Sequence, residues 1–223
     1  MTVLGTSVKV AVAAALAAGT LAGCGGGPLK VGAAAIVGDD RISTSTLDQT
    51  VRDWQKQFVK DDIANQMRSD PSNPTQQATS DRLSDSDMRD ALTVLVNMRV
   101  GDEVARRDHI DVTGTQVDQV IAALDQQGGA KSATLASGLP AGYTRDFARF
   151  LAIKALLVQK YGSDGNPQNP QTMLARQKAD ADFVQTADSM KIKVNPRYGS
   201  FDKAKVAIDP VKYRLSATES GIR

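Results

Sequence analysis

Apolar residues recur at helical spacing through most of the chain. Leu47, Val51, Trp54 and Phe58 follow at steps of four, three and four, which puts them on one helix face. Asp48, Arg52, Gln55 and Lys56 lie opposite, and Ser43-Thr44-Ser45 supplies good N-cap residues just ahead. A second helix is predicted from about Ser86 to Asp108. Its apolar residues Met88, Leu92, Leu95, Val96, Val100 and Val104 span a broad arc, as expected of a helix with more than one neighbour. Thr113 and Gln116 have capping-box spacing and open a shorter third helix with Val117, Ile121 and Leu124 on its stripe. Residues 126–142 read as a glycine-containing connection with room for one short helix around Ala133–Ala136. The fourth helix, Thr144 to Tyr161, is the most apolar, with Phe147, Phe150, Leu151, Ile153, Leu156, Leu157 and Val158, and is expected at the centre. A fifth runs from about Thr172 to Met190. The polar, proline-bearing stretches SDPSNPTQQATSD (69–81) and GSDGNPQNPQ (162–171) read as loops.

The period changes at the two ends of this helical run. Ala33 to Val37 reads as a short strand, Gly38-Asp39-Asp40 as a turn, and Arg41-Ile42 as a brief resumption. Lys191, Ile192, Lys193 and Val194 alternate polar and apolar, a half-buried strand. A lone strand is not stable, so the two ends are expected to pair and close the helices into one unit. The fold class expected is mainly α, closed by a short pair of β-strands from the two ends. Beyond Asp202 periodicity fades, and residues 203–223 read as a loose tail.

The first residues carry a different signal. One cation, Lys9, precedes an apolar run from Val10 to Ala22, too short for a stable membrane span. Leu21-Ala22-Gly23-Cys24 resembles the lipobox of bacterial lipoproteins. That resemblance implies a signal peptide over residues 1–23, a diacylglyceryl group on the Cys24 thiol and cleavage before it. Gly25-Gly26-Gly27 would then tether the lipid to the domain over residues 24–30. The expected location is the extracytoplasmic face of the cell membrane, held through the lipid anchor. Cys24 is the only cysteine, so no disulfide is expected. With 27 Lys and Arg against 25 Asp and Glu, interspersed, the charge argues against a nucleic-acid partner.

The segments AAIVGDDRIS and DSMKIKVNPRYGSFD carry a family resemblance. The first resembles the opening strand and turn of the SurA N-terminal domain, and the second its closing helix end and Val-Asn-Pro-Arg-Tyr-Gly strand. The resemblance covers roughly residues 31–202. The opening turn departs from it, with Gly38-Asp39-Asp40 where the family commonly has an asparagine or glycine pair. It implies a helical export-chaperone core. In the family's export chaperones a parvulin prolyl isomerase module enters before the closing helix. The matching place here, 162–171, is far too short for an enzyme domain.

The candidate chemistry agrees with a binding protein rather than an enzyme. His109 is the only histidine and reads as a solvated residue at a helix C-terminus. No catalytic residue, cofactor or metal is expected. Asp39-Asp40, Asp61-Asp62, Asp85-Asp87 and Asp180-Asp182 read as solvated charge at turns and on polar faces. Trp54, Phe58, Phe147 and Phe150 are the candidate peptide-binding side chains, although core packing is the commoner use of Trp54 and Phe58. The expected function is a non-enzymatic, membrane-anchored chaperone-like lipoprotein that binds extended or unfolded segments of exported polypeptides. The alternative is a structural lipoprotein that docks one folded cell-envelope partner.

Overall fold

The computed structural model describes residues 31–69 and 84–210. Its elements are β1 (Ala33–Val37), β2 (Asp40–Ser43), α1 (Thr44–Phe58), α2 (Asp62–Arg68), α3 (Asp85–Arg107), α4 (Gly114–Gln126), α5 (Ala130–Ala136), a 3-10 turn (Ala141–Tyr143), α6 (Thr144–Lys160), α7 (Pro170–Ser189), β3 (Ile192–Val194), β4 (Ser200–Asp202) and β5 (Ala207–Asp209). The described residues are mainly helical, as the periodicities predict, but where one strand pair was expected they form two small antiparallel sheets. The proposed signal segment 1–23, Cys24, the tether 24–30, nearly all of the 69–81 loop and residues 211–223 lie outside the described residues.

The two ends do pair. β1 is the middle strand of a β2-β1-β3 sheet. Ala35 stands opposite Val194, Ile36 opposite Lys193 and Val37 opposite Ile192. The turn from β1 into β2 is two residues long, with Gly38 at φ +61°, a conformation that favours glycine there. Ala33, Ala34 and Ala35 are fully buried, and their small side chains let the sheet lie close against α3.

The centre of the domain is α3, not the fourth predicted helix (α6). Nine of its residues are buried, from Ala91 to Ala105, against four on α6. α3 touches α1, α6, α7, β1 and β5. The apolar count of α6 misleads because Phe147, Phe150 and Val158 are only half-covered, each packed on the edge of the core. Gly101 shows how closely α6 approaches: a Cβ there would sit 2.8 Å from the Phe150 ring.

One helix has no counterpart in the hydrophobic pattern. α2 is seven residues long, and its apolar Ile63 and Met67 are exposed, so no buried stripe announces it. Asp61 caps it by accepting from the Ala64 N–H at 2.8 Å. At its other end Arg68 lies 4.9 Å from the Trp54 ring centre, over the stacked Trp54–Phe58 pair, and donates to Asp90 at 2.7 Å. α2 thereby lids the aromatic end of α1 and ties it to the start of α3.

Four helices end the same way. The N–H of Gly129, Leu139, Ser163 and Ile110 each reaches back to the carbonyl of the residue five earlier, after α4, α5, α6 and α3 respectively. The residue before each sits at positive φ. This is a Schellman closure, in which glycine normally takes the left-handed position. Gly128, Gly138 and Gly162 do so; after α3 the position is held by His109, exposed, at φ +54°. The sequence reading of an exposed histidine at a helix end holds, with a backbone cost added to it. His109→Gly is therefore expected to raise stability by about 1 kcal/mol. Urea unfolding followed by Trp54 fluorescence checks this, and an unchanged or lowered midpoint would count against it.

Candidate functional site

An open groove lies where β3 meets the C-terminal hairpin. The Asn195 N–H donates to Ala34 O at 2.8 Å and the Gly38 N–H to Lys191 O at 3.2 Å. These bonds turn the backbone of Lys191, Lys193 and Asn195 toward β1. Alternation then turns the N–H and C=O of Val194, and the C=O of Ile192, away from it. β3 is thus an edge strand. Beside that edge runs a groove of about 820 Å³ lined by Ile192, Val194, Pro196, Gly199, Ser200, Phe201, Asp202 and Asp209. Its wall is the β4–β5 hairpin, in which Ser200 faces Asp209, Phe201 faces Ile208 and Asp202 faces Ala207.

The Val-Asn-Pro-Arg-Tyr-Gly motif builds this groove. Asn195 Nδ2 donates to Ala33 O at 3.1 Å, and Asn195 Oδ1 accepts from the Arg197 N–H at 3.1 Å. The Tyr198 N–H donates to Asn195 O at 2.9 Å, closing a turn with Pro196 at its second position. Tyr198 is buried, and its hydroxyl has no hydrogen-bond partner among the described residues; burial raises its pKa. Gly199 follows at φ +141°, and a Cβ there would lie 2.2 Å from the Asp209 carbonyl oxygen. Only glycine fits, so β4 can run tight against β5.

The reading of residues 203–223 as a loose tail is corrected for its first part. Residues 203–209 complete the hairpin. Val206 and Ile208 are buried, and the Ile208 N–H donates to Thr93 Oγ1 on α3 at 3.2 Å. Val206 holds φ +49°, a costly conformation for a β-branched residue that its burial enforces. Two buried apolar residues, one of them ahead of a three-residue strand, are too few for periodicity to register. The surface of α3 decides the fold there.

The four candidate aromatic side chains are not brought together as a peptide platform. Trp54 and Phe58 are 1% exposed, their rings stacked at 4.9 Å, and Trp54 Nε1 donates to Leu135 O at 2.7 Å. They are core residues, out of reach of a ligand, because α2 and α5 cover that end of α1. Phe147 and Phe150 are half-buried on α6. Phe150 borders a second, more polar cleft of about 590 Å³ with Asp40, Met98, Arg99, Asp102, Tyr143, Asp146 and Arg149, where Arg149 pairs with Asp102. The groove residues Ile192, Val194 and Phe201 were not singled out by the sequence, although the strand alternation at 191–194 marks two of them.

Asp180-Asp182 is also corrected in part. Asp182 is half-buried beside Asp108, accepts from the Tyr161 hydroxyl at 2.9 Å, and lies near Lys160, which pairs with Asp108 at 3.1 Å. Burial and the neighbouring Asp108 push Asp182 above the ordinary carboxylate range. Burial also opposes the Asp108 charge, but bonds with Asp182 and Lys160 outweigh it and hold Asp108 low. The pair favours one negative charge, with Asp182 as the proton holder.

No protein-family profile, characterised protein or solved structure matches the chain.

Two outcomes follow from this geometry. Gly199→Ala should push the start of β4 away from Ile208 and Asp209 on β5 and loosen the hairpin, at a cost of about 2–3 kcal/mol. Faster amide exchange at Ile208 and a lower urea midpoint would show it, and unchanged values would refute the close approach. Asp182→Asn keeps an acceptor for Tyr161 and a donor for Asp108 without the second charge. A raised pKa means wild-type stability recovers as pH falls through that value. The variant should therefore melt higher than wild type at neutral pH, with the gap closing towards pH ~4. A gap that widens on acidification would contradict the assignment.

Proposed function

We propose that this chain is a membrane-anchored, non-enzymatic chaperone-like lipoprotein that binds extended segments of exported proteins, with the SurA N-terminal domain as its family. The observation that carries the reading is the open edge of β3 beside a groove floored by Ile192, Val194 and Phe201. An extended segment can add to such an edge through main-chain hydrogen bonds, which are blind to sequence, while its apolar side chains enter the groove. The motif that carries the family resemblance is the one that shapes this groove. The loop at 162–171, where the family's isomerase module would enter, is held by its own hydrogen bonds, Asn169 Nδ2 and Thr172 Oγ1 both donating to Asp164. That closed loop supports binding without prolyl isomerisation. The lipobox-like Leu21-Ala22-Gly23-Cys24 supports the anchor.

A second reading, docking of one folded envelope partner, draws on a different surface. Val59, Ile63 and Met67 follow at steps of four and are 49%, 46% and 40% exposed.

Two assays at one protein concentration test the proposal. The chain should suppress aggregation of an unfolded client and leave isomerisation of a proline-containing peptide at its background rate. Isomerisation well above background would overturn the non-enzymatic reading. No effect in either assay would favour the docking reading. For the anchor, Cys24→Ser should abolish lipid modification and leave the chain released or uncleaved. A Cys24→Ser variant that still fractionates with membranes at the normal mature mass would rule the lipobox out.

A further inference from the structure

We infer that the cleft between α3 and α6 is a binding site for a small zwitterion, a free basic α-amino acid of the lysine type. It shares no lining residue with the groove beside β3, so it is a second site rather than part of the first. α3 supplies Met98, Arg99 and Asp102, which helical spacing puts on one edge. α6 supplies Asp146, Arg149 and Phe150 in the same way, with Tyr143 just ahead of it. Three contacts fix the walls. Arg149 reaches from α6 to pair with Asp102 on α3. Gly101 lets the Phe150 ring lie against α3, where a Cβ would stand 2.8 Å from it. The Tyr143 hydroxyl lies 3.4 Å from Thr50 Oγ1, which ties the start of α6 to α1. The cleft's 590 Å³ falls within the range of about 300–1,000 Å³ usual for small-molecule sites.

The charges of the cleft select the ligand. Arg99 Nη1 donates to the Leu95 carbonyl at 3.0 Å, which pins the guanidinium, and no carboxylate among the described residues pairs with it. Its Nε is buried without a partner among the described residues. Asp40 and Asp146 also have no ion-pair partner among the described residues. The unanswered groups are therefore one cation and two carboxylates. A simple anion would reach Arg99 only beside Asp40, Asp102 and Asp146, and a simple cation would leave Arg99 unanswered. The three carboxylates do not come together as a metal-ligating group. A ligand with one carboxylate and two ammonium groups answers all three charges, and lysine is such a ligand. Its carboxylate suits the planar guanidinium of Arg99, and its ammonium groups suit Asp40 and Asp146. Its apolar stem has Met98, Tyr143 and Phe150 to lie on.

Titration of the full chain with L-lysine, L-leucine and L-glutamate, followed by the amide NMR shifts of Gly101 and Phe150, tests this. Saturable shifts are expected, tightest with lysine, weaker with leucine and weakest with glutamate. No shift with lysine up to about 10 mM, or glutamate binding as tightly as lysine, would overturn the inference. Arg99→Gln and Asp146→Asn should each weaken lysine binding at least about tenfold, as loss of one charge-assisted contact requires. Unchanged affinity in both folded variants would also overturn it; the ligand series on the wild-type chain stands if a variant fails to fold. Nα-acetyl-lysine lacks the α-ammonium and should bind at least about tenfold more weakly. Equal binding would assign the cleft to the C-terminal residue of a chain and overturn the free amino acid. The readout contains no unfolded client, so its failure and failure of the chaperone reading are separate results.

Discussion

The pairing of β1 with β3 is the constraint on which the other contacts depend. It joins Ala35 to Val194 across the whole helical run. Closing a loop of that length costs on the order of 4–5 kcal/mol of chain entropy. A few ladder hydrogen bonds, each worth about 1 kcal/mol net, scarcely offset it. The closure is therefore sustained by what the sheet rests on. Ala33, Ala34 and Ala35 are fully buried, and β1 contacts both α1 and α3. The helices hold the strands, and the strands hold the two ends of the chain in one place.

That closure sets the position of the C-terminal hairpin. Asn195 bonds to Ala33 and Ala34, so the turn that follows β3 starts from β1 itself. Tyr198 then enters the core, and Gly199 lets β4 meet β5 without a side chain between them. Val206 and Ile208 seat the hairpin on α3. The groove is the space left between two sheets that are each too small to cover it. One supplies an unpaired edge, the other a wall in which Phe201 stands among Ser200, Asp202 and Asp209. Such a space suits an extended backbone better than a compact ligand, since its hydrogen-bonding groups lie in a line.

Electrostatics plays a smaller part in the fold. Pairs such as Lys203–Asp188 and Arg145–Asp118 are more than half exposed on both sides, where such pairs contribute little. Two partly buried sets sit at joints between helices. Arg68 bridges α2 to Asp90 on α3 while covering Trp54. Asp108, Asp182, Tyr161 and Lys160 bring together the C-terminal ends of α3 and α6 and the middle of α7. In each, partial burial makes the charge matter.

Much of the architecture was legible in the chain. The stripe Leu47-Val51-Trp54-Phe58, the capping box at Thr113 and Gln116, and the alternation at 191–194 each identify an element through local spacing. The pairing of the two ends follows from the same evidence, because an isolated strand has no other way to satisfy its backbone. Local spacing did not reach α2, whose large apolar side chains Ile63 and Met67 are exposed, or β5, where one buried residue, Ile208, is too little to show a period. It also misplaced the centre, since a count of apolar residues on α6 does not report how many neighbours cover them. The site was the least legible part. Trp54 and Phe58 are the most conspicuous aromatic side chains in the sequence and are buried by α2 and α5, while the groove is made from Ile192, Val194 and Phe201, ordinary residues of short strands. The order of residues alone marks which segments are helix and which are strand, because hydrogen bonding and side-chain periodicity act within a few residues. Which helix became the centre, which aromatic rings were sealed and which strand edge stayed open were settled by tertiary packing, because each depends on surfaces brought together from distant parts of the chain.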